Sequence, residues 1–121
     1  MLDELERVGL VEDERFAREM VRDQAGRRLA GGRAIRSALR AKGVSADLVE
    51  EALSNAGDEA ERAKTLATRR AARMMNLPPE AAYRRLLGLL VRRGYDSGVA
   101  REACREALAA VFEAGTVEET P

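Results

Sequence analysis

The sequence predicts an all-α protein made of tandem three-helix-bundle repeats in an elongated array. Alanine, leucine, arginine and glutamate dominate the 121 residues, and only 3% are aromatic, so intrinsic propensity favours helix along most of the chain. Glycines interrupt the helical pattern at intervals that suit short helices. A segment containing one such glycine occurs twice, 51 residues apart. Propensity, helix stops and repetition therefore indicate the same fold class.

Seven helical segments follow from the periodicity of the apolar residues and from the stop signals between them. They are predicted at 2–8, 13–28, 33–42, 46–55, 59–76, 80–93 and 97–113. Gly9, Gly43 and Gly94 each suit the left-handed residue just past a helix. The residues that suit helix starts are Ser45, Asp58 and Asp96 as N-caps and Pro79 at a first helical position.

The sequence around Gly43 is repeated around Gly94. An offset of 51 residues places LRAKGVSADLVEEAL (39–53) on LVRRGYDSGVAREAC (90–104). Identical pairs at this offset include Arg33/Arg84, Leu39/Leu90, Gly43/Gly94, Glu51/Glu102 and Ala52/Ala103. The matched positions are those that a three-helix unit requires, because they supply core residues before a turn, the turn glycine and the first contacts after it. Each segment is therefore predicted to hold the turn between the second and third helices of a repeated unit.

The predicted helices group into repeats. Residues 1–10 are predicted to be the last helix of an incomplete first repeat, 11–57 and 58–113 to be complete three-helix repeats, and 114–121 to be a flexible tail. Leu2, Leu5 and Val8 lack the rest of their unit, so we expect the native protein to be longer or this chain to be a truncated form. The residues predicted to be buried are Phe16, Ile35, Leu39, Leu48, Leu86 and Leu90.

The residue types present exclude much catalytic chemistry. With no histidine and one cysteine, the chain has no zinc-site spacing and no Ser/His or Cys/His pair. The glycines at 31 and 32 lack the Gly-Lys-Ser/Thr of a phosphate loop. We therefore predict no enzymatic activity, no catalytic residues, no metal and no cofactor. Cys104 lies on an apolar helical face and is predicted to be a buried, inert thiol, with a reactive or redox role as the alternative.

The chain carries no sign of membrane association. No apolar run approaches the roughly 20 residues that span a bilayer. The N-terminal sequence MLDELERVGL has acids where a secretory signal is basic and then apolar. A cytoplasmic protein without a membrane partner is therefore predicted.

Charge is unevenly distributed although the net charge is zero. Residues 22–44 contain seven basic residues and one acid, and residues 62–93 contain nine basic residues and one acid. Arg33, Arg36 and Arg40 form a stripe at i, i+3 and i+7, opposite the apolar face of their helix. Guanidinium groups suit phosphates and carboxylates, whereas the simpler interpretation is a solvated surface. The candidate partner- or anion-binding residues are Arg27, Arg28, Arg33, Arg36, Arg40, Arg62, Arg69 and Arg73.

Motifs in three parts of the chain occur in an order that a known family shares. They are GLVEDERFA (9–17), then Arg33, Ile35 and Leu39 with KGV (42–44), and finally Leu86 and Leu90 with RRGY (92–95). Together with the three-helix periodicity, they resemble the RecX regulators of the bacterial recombinase RecA. The chain departs from the family at Met20, where an aromatic residue is common, and at Glu12, where aspartate is usual. It also lacks the first repeat except for its last helix.

The resemblance implies a non-enzymatic regulator of homologous recombination, DNA repair and the SOS response. Such a protein lies in the helical groove of the RecA nucleoprotein filament and modulates, mostly by inhibition, the extension and activity of the filament. DNA is then a further partner, contacted directly or through the filament. The oligomeric state does not follow from the sequence, and the missing repeat leaves open whether this chain alone has full activity.

Two other classes of function are compatible with the sequence. A direct DNA-binding module of helix-turn-helix type is one, because three-helix units with basic second helices resemble helix-turn-helix domains. Against it, the basic stripe has no interleaved Asn, Gln or aromatic residues that would read or stack on bases. The other is a helical scaffold whose charges only keep it soluble.

Overall fold

The computed structural model describes the backbone of residues 2–119 and the side chains of residue 9 and residues 11–113. The elements are α1 (Leu2–Val21), a π-helix (Arg22–Arg27), α2 (Gly32–Ala41), α3 (Ala46–Ser54), α4 (Glu59–Ala71), α5 (Pro79–Arg92) and α6 (Ser97–Glu119). The described backbone contains no strand, so the predicted all-α class is confirmed. No helix within residues 2–119 is long and apolar enough to cross a membrane.

The helices form two three-helix units in tandem, as predicted. In the first unit α1, α2 and α3 pack together, and in the second α4, α5 and α6 do so. Each unit has its own apolar core. Ile35 and Leu39 are fully buried in the first core, and Leu86 and Leu90 in the second, which confirms these four predictions. Cys104 is buried in the second core, and this burial raises the pKa of its thiol to about 11.

The two predicted glycine turns have the same geometry. Gly43, at φ +86°, follows α2 and donates its N–H to the carbonyl of Arg40 over 3.0 Å. The next N–H, of Val44, donates to the carbonyl of Leu39 over 3.1 Å, which completes a Schellman motif. The equivalent pairs after α5, where Gly94 has φ +95°, are Gly94 with Val91 at 3.0 Å and Tyr95 with Leu90 at 3.2 Å. The internal repeat thus preserves the turn itself.

The predicted helix starts are also confirmed. The capping side chains accept backbone N–H groups in three places: Ser45 from Leu48 at 3.4 Å, Asp58 from Ala60 at 3.0 Å and Asp96 from Gly98 at 3.2 Å. Pro79 is the first residue of α5, where its missing N–H would have had no helical partner. Local side-chain chemistry therefore defines where α3, α4, α5 and α6 begin.

The predicted helix stop at Gly9 is wrong. α1 runs without a break from Leu2 to Val21 and joins the segments predicted at 2–8 and 13–28. A glycine inside a helix costs only about 1 kcal/mol relative to alanine, and the strong helix formers around Gly9 outweigh that cost. The assignment of residues 1–10 to an incomplete first repeat stays a prediction, and Leu2, Leu5 and Val8 lie outside the described side chains.

The predicted burial of Phe16 is wrong, because its side chain is 41% exposed. The buried face of α1 is formed by Ala17 and Val21, four residues apart. These smaller side chains let α1 approach α3 closely, and the neighbouring aromatic ring is left outside the core. Leu48, also predicted to be buried, is only partly buried and packs at the edge of the first core.

Several helix boundaries differ from the predicted ones. α4 ends at Ala71 rather than at 76, and residues 22–27 form a π-helix where the last turns of an α-helix were predicted. α6 extends to Glu119 rather than ending at 113. The predicted flexibility of residues 114–121 stays a prediction. The predicted boundary between the two complete repeats, at 57 and 58, falls in the connection between α3 and α4.

The connection that follows the π-helix docks directly on the second unit through its backbone. Gly31 donates its N–H to the carbonyl of Arg93 over 2.9 Å, and Arg33 donates to the carbonyl of Gly94 over 3.0 Å. The approach is so close that a Cβ on Gly31 would lie 2.3 Å from the carbonyl carbon of Gly94. A Cβ on Gly94 would lie 2.4 Å from the Cβ of Ala34. The two glycines therefore permit a contact that any larger residue would prevent.

Three side chains of the second unit complete this junction. Glu59 accepts the N–H of Gly32 over 2.7 Å and so satisfies a backbone donor at the start of α2. Arg62 donates from Nε to the carbonyl of Ala30 over 3.3 Å. The buried hydroxyl of Tyr95 donates to the carbonyl of Leu29. Leu29 has φ +52°, and its side chain packs against the core of the second unit. The junction thus fixes the orientation of the two units.

Replacing each of the two turn glycines with alanine distinguishes the stability cost of backbone strain from the cost of steric overlap with the neighbouring unit. Both have positive φ, but nothing lies within 4 Å of a Cβ built on Gly43, whereas a Cβ on Gly94 collides with Ala34. We expect Gly43→Ala to cost about 1–2 kcal/mol through backbone strain alone. Gly94→Ala should cost a further 1–3 kcal/mol or so through overpacking. Urea unfolding measures both, and equal costs would show that the junction is not tightly packed.

Truncating two leucines tests the core. Leu39 is fully buried, so Leu39→Ala is expected to lower the free energy of unfolding by about 2–5 kcal/mol. Leu48→Ala removes the same atoms from the edge of the same core and should cost less, about 1–2 kcal/mol. The comparison uses urea unfolding at one temperature. A loss below about 0.5 kcal/mol for Leu39→Ala would contradict the assigned core face.

Candidate anion-binding cleft

A cavity of about 540 Å³ lies where the two units meet. One wall comes from the π-helix and the connection after it, and the other comes from α4 and the end of α5. The arginines that line it are Arg27, Arg28, Arg69, Arg70, Arg73, Arg92 and Arg93. An adjoining cavity of about 420 Å³ shares Arg70, Arg73 and Arg92 and adds Arg85. These eight arginines define what we call the arginine cleft, and none of the described residues that line either cavity is acidic.

The arginines converge because several helices end at the cleft. Arg27 lies in the last turn of the π-helix, Arg69 and Arg70 in the last turn of α4, and Arg92 in the last turn of α5. A cation near the last carbonyl groups of a helix is favourable by about 0.3–1 kcal/mol. Each arginine is therefore suited to its own helix. Bringing the helix ends together is what concentrates the positive charge.

Most of the cleft arginines have no partner among the side chains that the structure describes. Arg27 and Arg28 lie 3.5 and 3.8 Å from the carboxylate of Asp23. Among the described side chains, none forms an ion pair or a hydrogen bond with the guanidinium groups of Arg69, Arg70, Arg73, Arg85, Arg92 and Arg93. A concave surface lined by charges of one sign focuses its field and attracts counter-ions. The cleft is therefore a strongly cationic site.

The structure divides the predicted site residues into three groups. The four that line the cleft are Arg27, Arg28, Arg69 and Arg73. The three of the stripe, Arg33, Arg36 and Arg40, are exposed on α2 and do not line it. Arg62 belongs to the junction. The sequence-predicted set is thus not a single surface.

The stripe on α2 is partly neutralised. Arg36 donates from Nε and Nη2 to the two carboxylate oxygens of Glu50 on α3, at 2.7 and 3.3 Å. This hydrogen bonding raises the pKa of Arg36 and lowers the pKa of Glu50. Within the described part of the chain, Arg33 and Arg40 have no ion-pair partner. The stripe therefore offers two unpaired charges rather than three.

The guanidinium group of Arg62 is hydrogen-bonded to carbonyl groups of the protein's own backbone. Besides its bond to Ala30, its Nη1 donates to the carbonyls of Ala56 and Gly57 at 3.2 and 3.4 Å. One guanidinium group thus joins the connection before α2 to the connection before α4. Such a donor is not free to bind an external anion without breaking the junction.

Four cleft arginines were missed by the sequence analysis, namely Arg70, Arg85, Arg92 and Arg93. They were counted in the basic segment 62–93, but nothing in a single helical face connects α4 with the end of α5. For Arg70 and Arg92, a usable signal was the position of basic residues in the last turns of successive helices. If those helix ends had been expected to meet, the cleft could have been anticipated.

The arrangement of helices defines a tandem three-helix-repeat protein. Residues 13–53 match the model of the RecX second three-helix domain, and residues 57–104 match that of the RecX third three-helix domain. Together the two matches cover most of the chain and agree with the two units seen in the structure. The chain belongs to the RecX family.

Curated relatives share the family name. The regulatory protein RecX of Corynebacterium efficiens is 38% identical over 115 residues, which cover 89% of this chain and 55% of the relative. That of Thermobifida fusca is 44% identical over 114 residues, covering 91% and 60%. That of Streptomyces coelicolor is 36% identical over 110 residues, covering 89% and 58%. The chain thus spans a little more than half the length of these relatives. No solved structure matches it.

Arg62 and Arg69 provide a matched test of structural and surface arginines on the same helix. Arg62→Ala removes three hydrogen bonds to backbone carbonyls, so it should lower the free energy of unfolding by about 1–3 kcal/mol. Arg69→Ala removes an exposed side chain without an internal partner and should stay within about 0.5 kcal/mol of the unaltered protein. Urea unfolding distinguishes the two. Equal stability of both variants would return Arg62 to the set of available anion-binding residues.

Proposed function

We propose that this chain is a non-enzymatic regulator that binds the RecA nucleoprotein filament and limits its extension and activity. Its membership of the RecX family carries the proposal. The curated relatives are named regulatory proteins, and that name suits a protein that acts by binding. Because the chain spans only part of those relatives, the proposal concerns the contribution of these two three-helix units.

The junction supports a role in binding an extended partner. Because the mutual orientation of the two units is already fixed, they can contact neighbouring parts of a filament without the entropy cost of ordering a flexible linker. Five hydrogen bonds, from Gly31, Gly32, Arg33, Arg62 and Tyr95, hold the two units together. The contacts that the units make with a filament should therefore add to one another.

The charge on α3 argues against the alternative of a helix-turn-helix reader of duplex DNA. In that class the helix after the turn enters the major groove, between two rows of phosphates. The helix after the Gly43 turn is α3, which has no basic residue and exposes Asp47, Glu50 and Glu51. Three carboxylates near phosphates would oppose binding. The exposed arginines of this unit lie on α1, the π-helix and α2 rather than on α3, so a partner other than the duplex groove is favoured.

The test compares the protein's retention on RecA filaments with its retention on bare duplex DNA. We expect retention on the filaments and slower filament growth. Retention on bare duplex alone, with normal filament growth, would contradict the proposal and favour the helix-turn-helix alternative. Retention on neither would leave these two units without the proposed activity and would also contradict it.

The stripe on α2 is tested with a double variant that leaves the Arg36–Glu50 pair intact. Arg33→Ala with Arg40→Ala removes two exposed charges, each contributing about 0.5–1 kcal/mol to a contact, so filament affinity should fall roughly 5- to 30-fold at low salt. Arg84→Ala with Arg101→Ala removes two exposed arginines of the second unit that have no ion-pair partner among the described side chains, and it is the matched control. Equal affinity of the two variants would mean that the stripe is only a solvated surface.

A further inference from the structure

We infer that the arginine cleft binds the phosphate backbone of single-stranded nucleic acid, without regard to base sequence. The inference goes beyond filament binding, because it concerns a direct contact with nucleic acid that does not require RecA. It uses a different surface from the stripe on α2. Four observations support it: the unpaired charge, the residue type, the shape of the cleft and the rigidity of its walls.

The positive charge of the cleft favours a ligand that carries several negative charges. Eight guanidinium groups surround two adjoining cavities, and the described part of their lining contains no acidic residue. Arg27 and Arg28 share one carboxylate, that of Asp23, and the other six have no partner among the described side chains. Like charges held around one concave surface repel one another, and the repulsion grows where water is partly excluded. A ligand carrying several negative charges relieves that repulsion at several arginines at once.

The residue type favours phosphate. All the basic residues of the cleft are arginines, and Lys64 on the same α4 helix lies outside it, 3.7 Å from Glu106. A planar guanidinium can donate two parallel hydrogen bonds to the oxygens of one phosphate, which an ammonium group cannot. Carboxylates accept the same fork, so an acidic peptide is the competing ligand. A nucleic acid backbone carries its charge on every repeat of its main chain and therefore matches a dense row of arginines better.

The shape favours a single strand over a duplex. The two cavities share Arg70, Arg73 and Arg92, so they adjoin and form a concave surface along α4 and the end of α5. A flexible strand can bend into such a concave surface and place successive phosphates between its walls. A duplex carries its phosphates on the outside of a stiff cylinder and would touch only the rim.

The uncharged part of the lining predicts electrostatic binding without base recognition. Its members include Leu29, Leu66, Leu77 and Leu89, and none of the residues that line the two cavities is aromatic. Bases therefore have no ring on which to stack, which removes about 1–3 kcal/mol per base from the affinity of a typical single-strand site. The remaining interaction with phosphates weakens steeply with salt.

The walls of the cleft are held in place before any ligand binds. Arg27 and Arg28 belong to the first unit, whereas the other six cleft arginines belong to the second. The junction between Gly31 and Gly94 lies next to the cleft, because Leu29, Ala30 and Ala34 line the cavity and flank the same contact. Rigid walls reduce the entropy lost on binding. The junction thus fixes the relative position of the two sets of arginines.

The experiment measures fluorescence anisotropy of a labelled oligothymidine with the protein alone, over a range of salt concentrations. The cleft variant is Arg69→Ala, Arg73→Ala and Arg92→Ala, all exposed residues. The control variant is Arg84→Ala, Arg101→Ala and Arg105→Ala, which removes three exposed arginines of the same unit outside the cleft. Both variants change the net charge equally. Thermal melting checks that each is folded, and the corresponding Arg→Gln triple replaces any alanine triple that is not.

The cleft variant is expected to bind at least tenfold more weakly than the unaltered protein, and the control variant within about threefold. The slope of log K against log salt should flatten by roughly 2 units in the cleft variant, because a single strand contributes about 0.7 per phosphate neutralised. Equal losses in the two variants would overturn the inference, since they would show an effect of net charge alone. Absence of binding by the unaltered protein would overturn it as well.

Two further arms test the class of ligand. A duplex of the same length should bind more weakly than the single strand, and its affinity should depend little on the cleft variant. Polyglutamate of equal charge should displace the labelled strand less effectively than unlabelled oligothymidine. Duplex binding as tight and as dependent on the cleft, or equal displacement by polyglutamate, would overturn the assignment to a single strand. Because RecA is absent, failure here leaves the filament test unaffected.

Discussion

The contact between Gly31 and Gly94 is the constraint on which the arrangement of the two units depends. Neither residue has a side chain, so two backbones meet closely enough for Gly31 and Arg33 to donate hydrogen bonds to the turn of the second unit. Around this contact, Glu59, Arg62 and Tyr95 satisfy the nearby backbone groups. A larger residue at either glycine would separate the units and move the walls of the arginine cleft apart.

Much of the fold could be predicted because local chemistry determines it. The Schellman turns at Gly43 and Gly94, the N-caps and the buried Ile35, Leu39, Leu86 and Leu90 follow from short-range patterns that tertiary packing reinforces. The predicted helix stop at Gly9 and the predicted burial of Phe16 were wrong because neighbouring residues overrode the local pattern. Helix propensity on both sides carried α1 through the glycine, and close packing of Ala17 and Val21 selected a face that excluded the larger ring.

The cleft could be predicted only in part, because it is a property of the junction and not of any one helix. The two turn glycines illustrate why. Gly43 and Gly94 occupy equivalent positions in the repeat and share a positive φ, yet open space surrounds the first and Ala34 covers the second. Sequence shows the common backbone requirement and does not show which turn another unit covers. The same limit hid Arg92 and Arg93, which reach the cleft because they adjoin that covered turn.

Ion pairing with carboxylates of the same chain distinguishes two kinds of basic surface that look alike in the sequence. On α2, a carboxylate of the neighbouring helix neutralises Arg36, as expected where a charged helix simply faces solvent. In the cleft, the ends of the π-helix, α4 and α5 bring most of the eight arginines together, and among the described side chains only Asp23 pairs with any of them. Each helix end favours its own cation, but their convergence creates a repulsion that no single helix explains. Unbalanced charge at a rigid junction is therefore a better indication of an anionic partner than the number of arginines on a helix face.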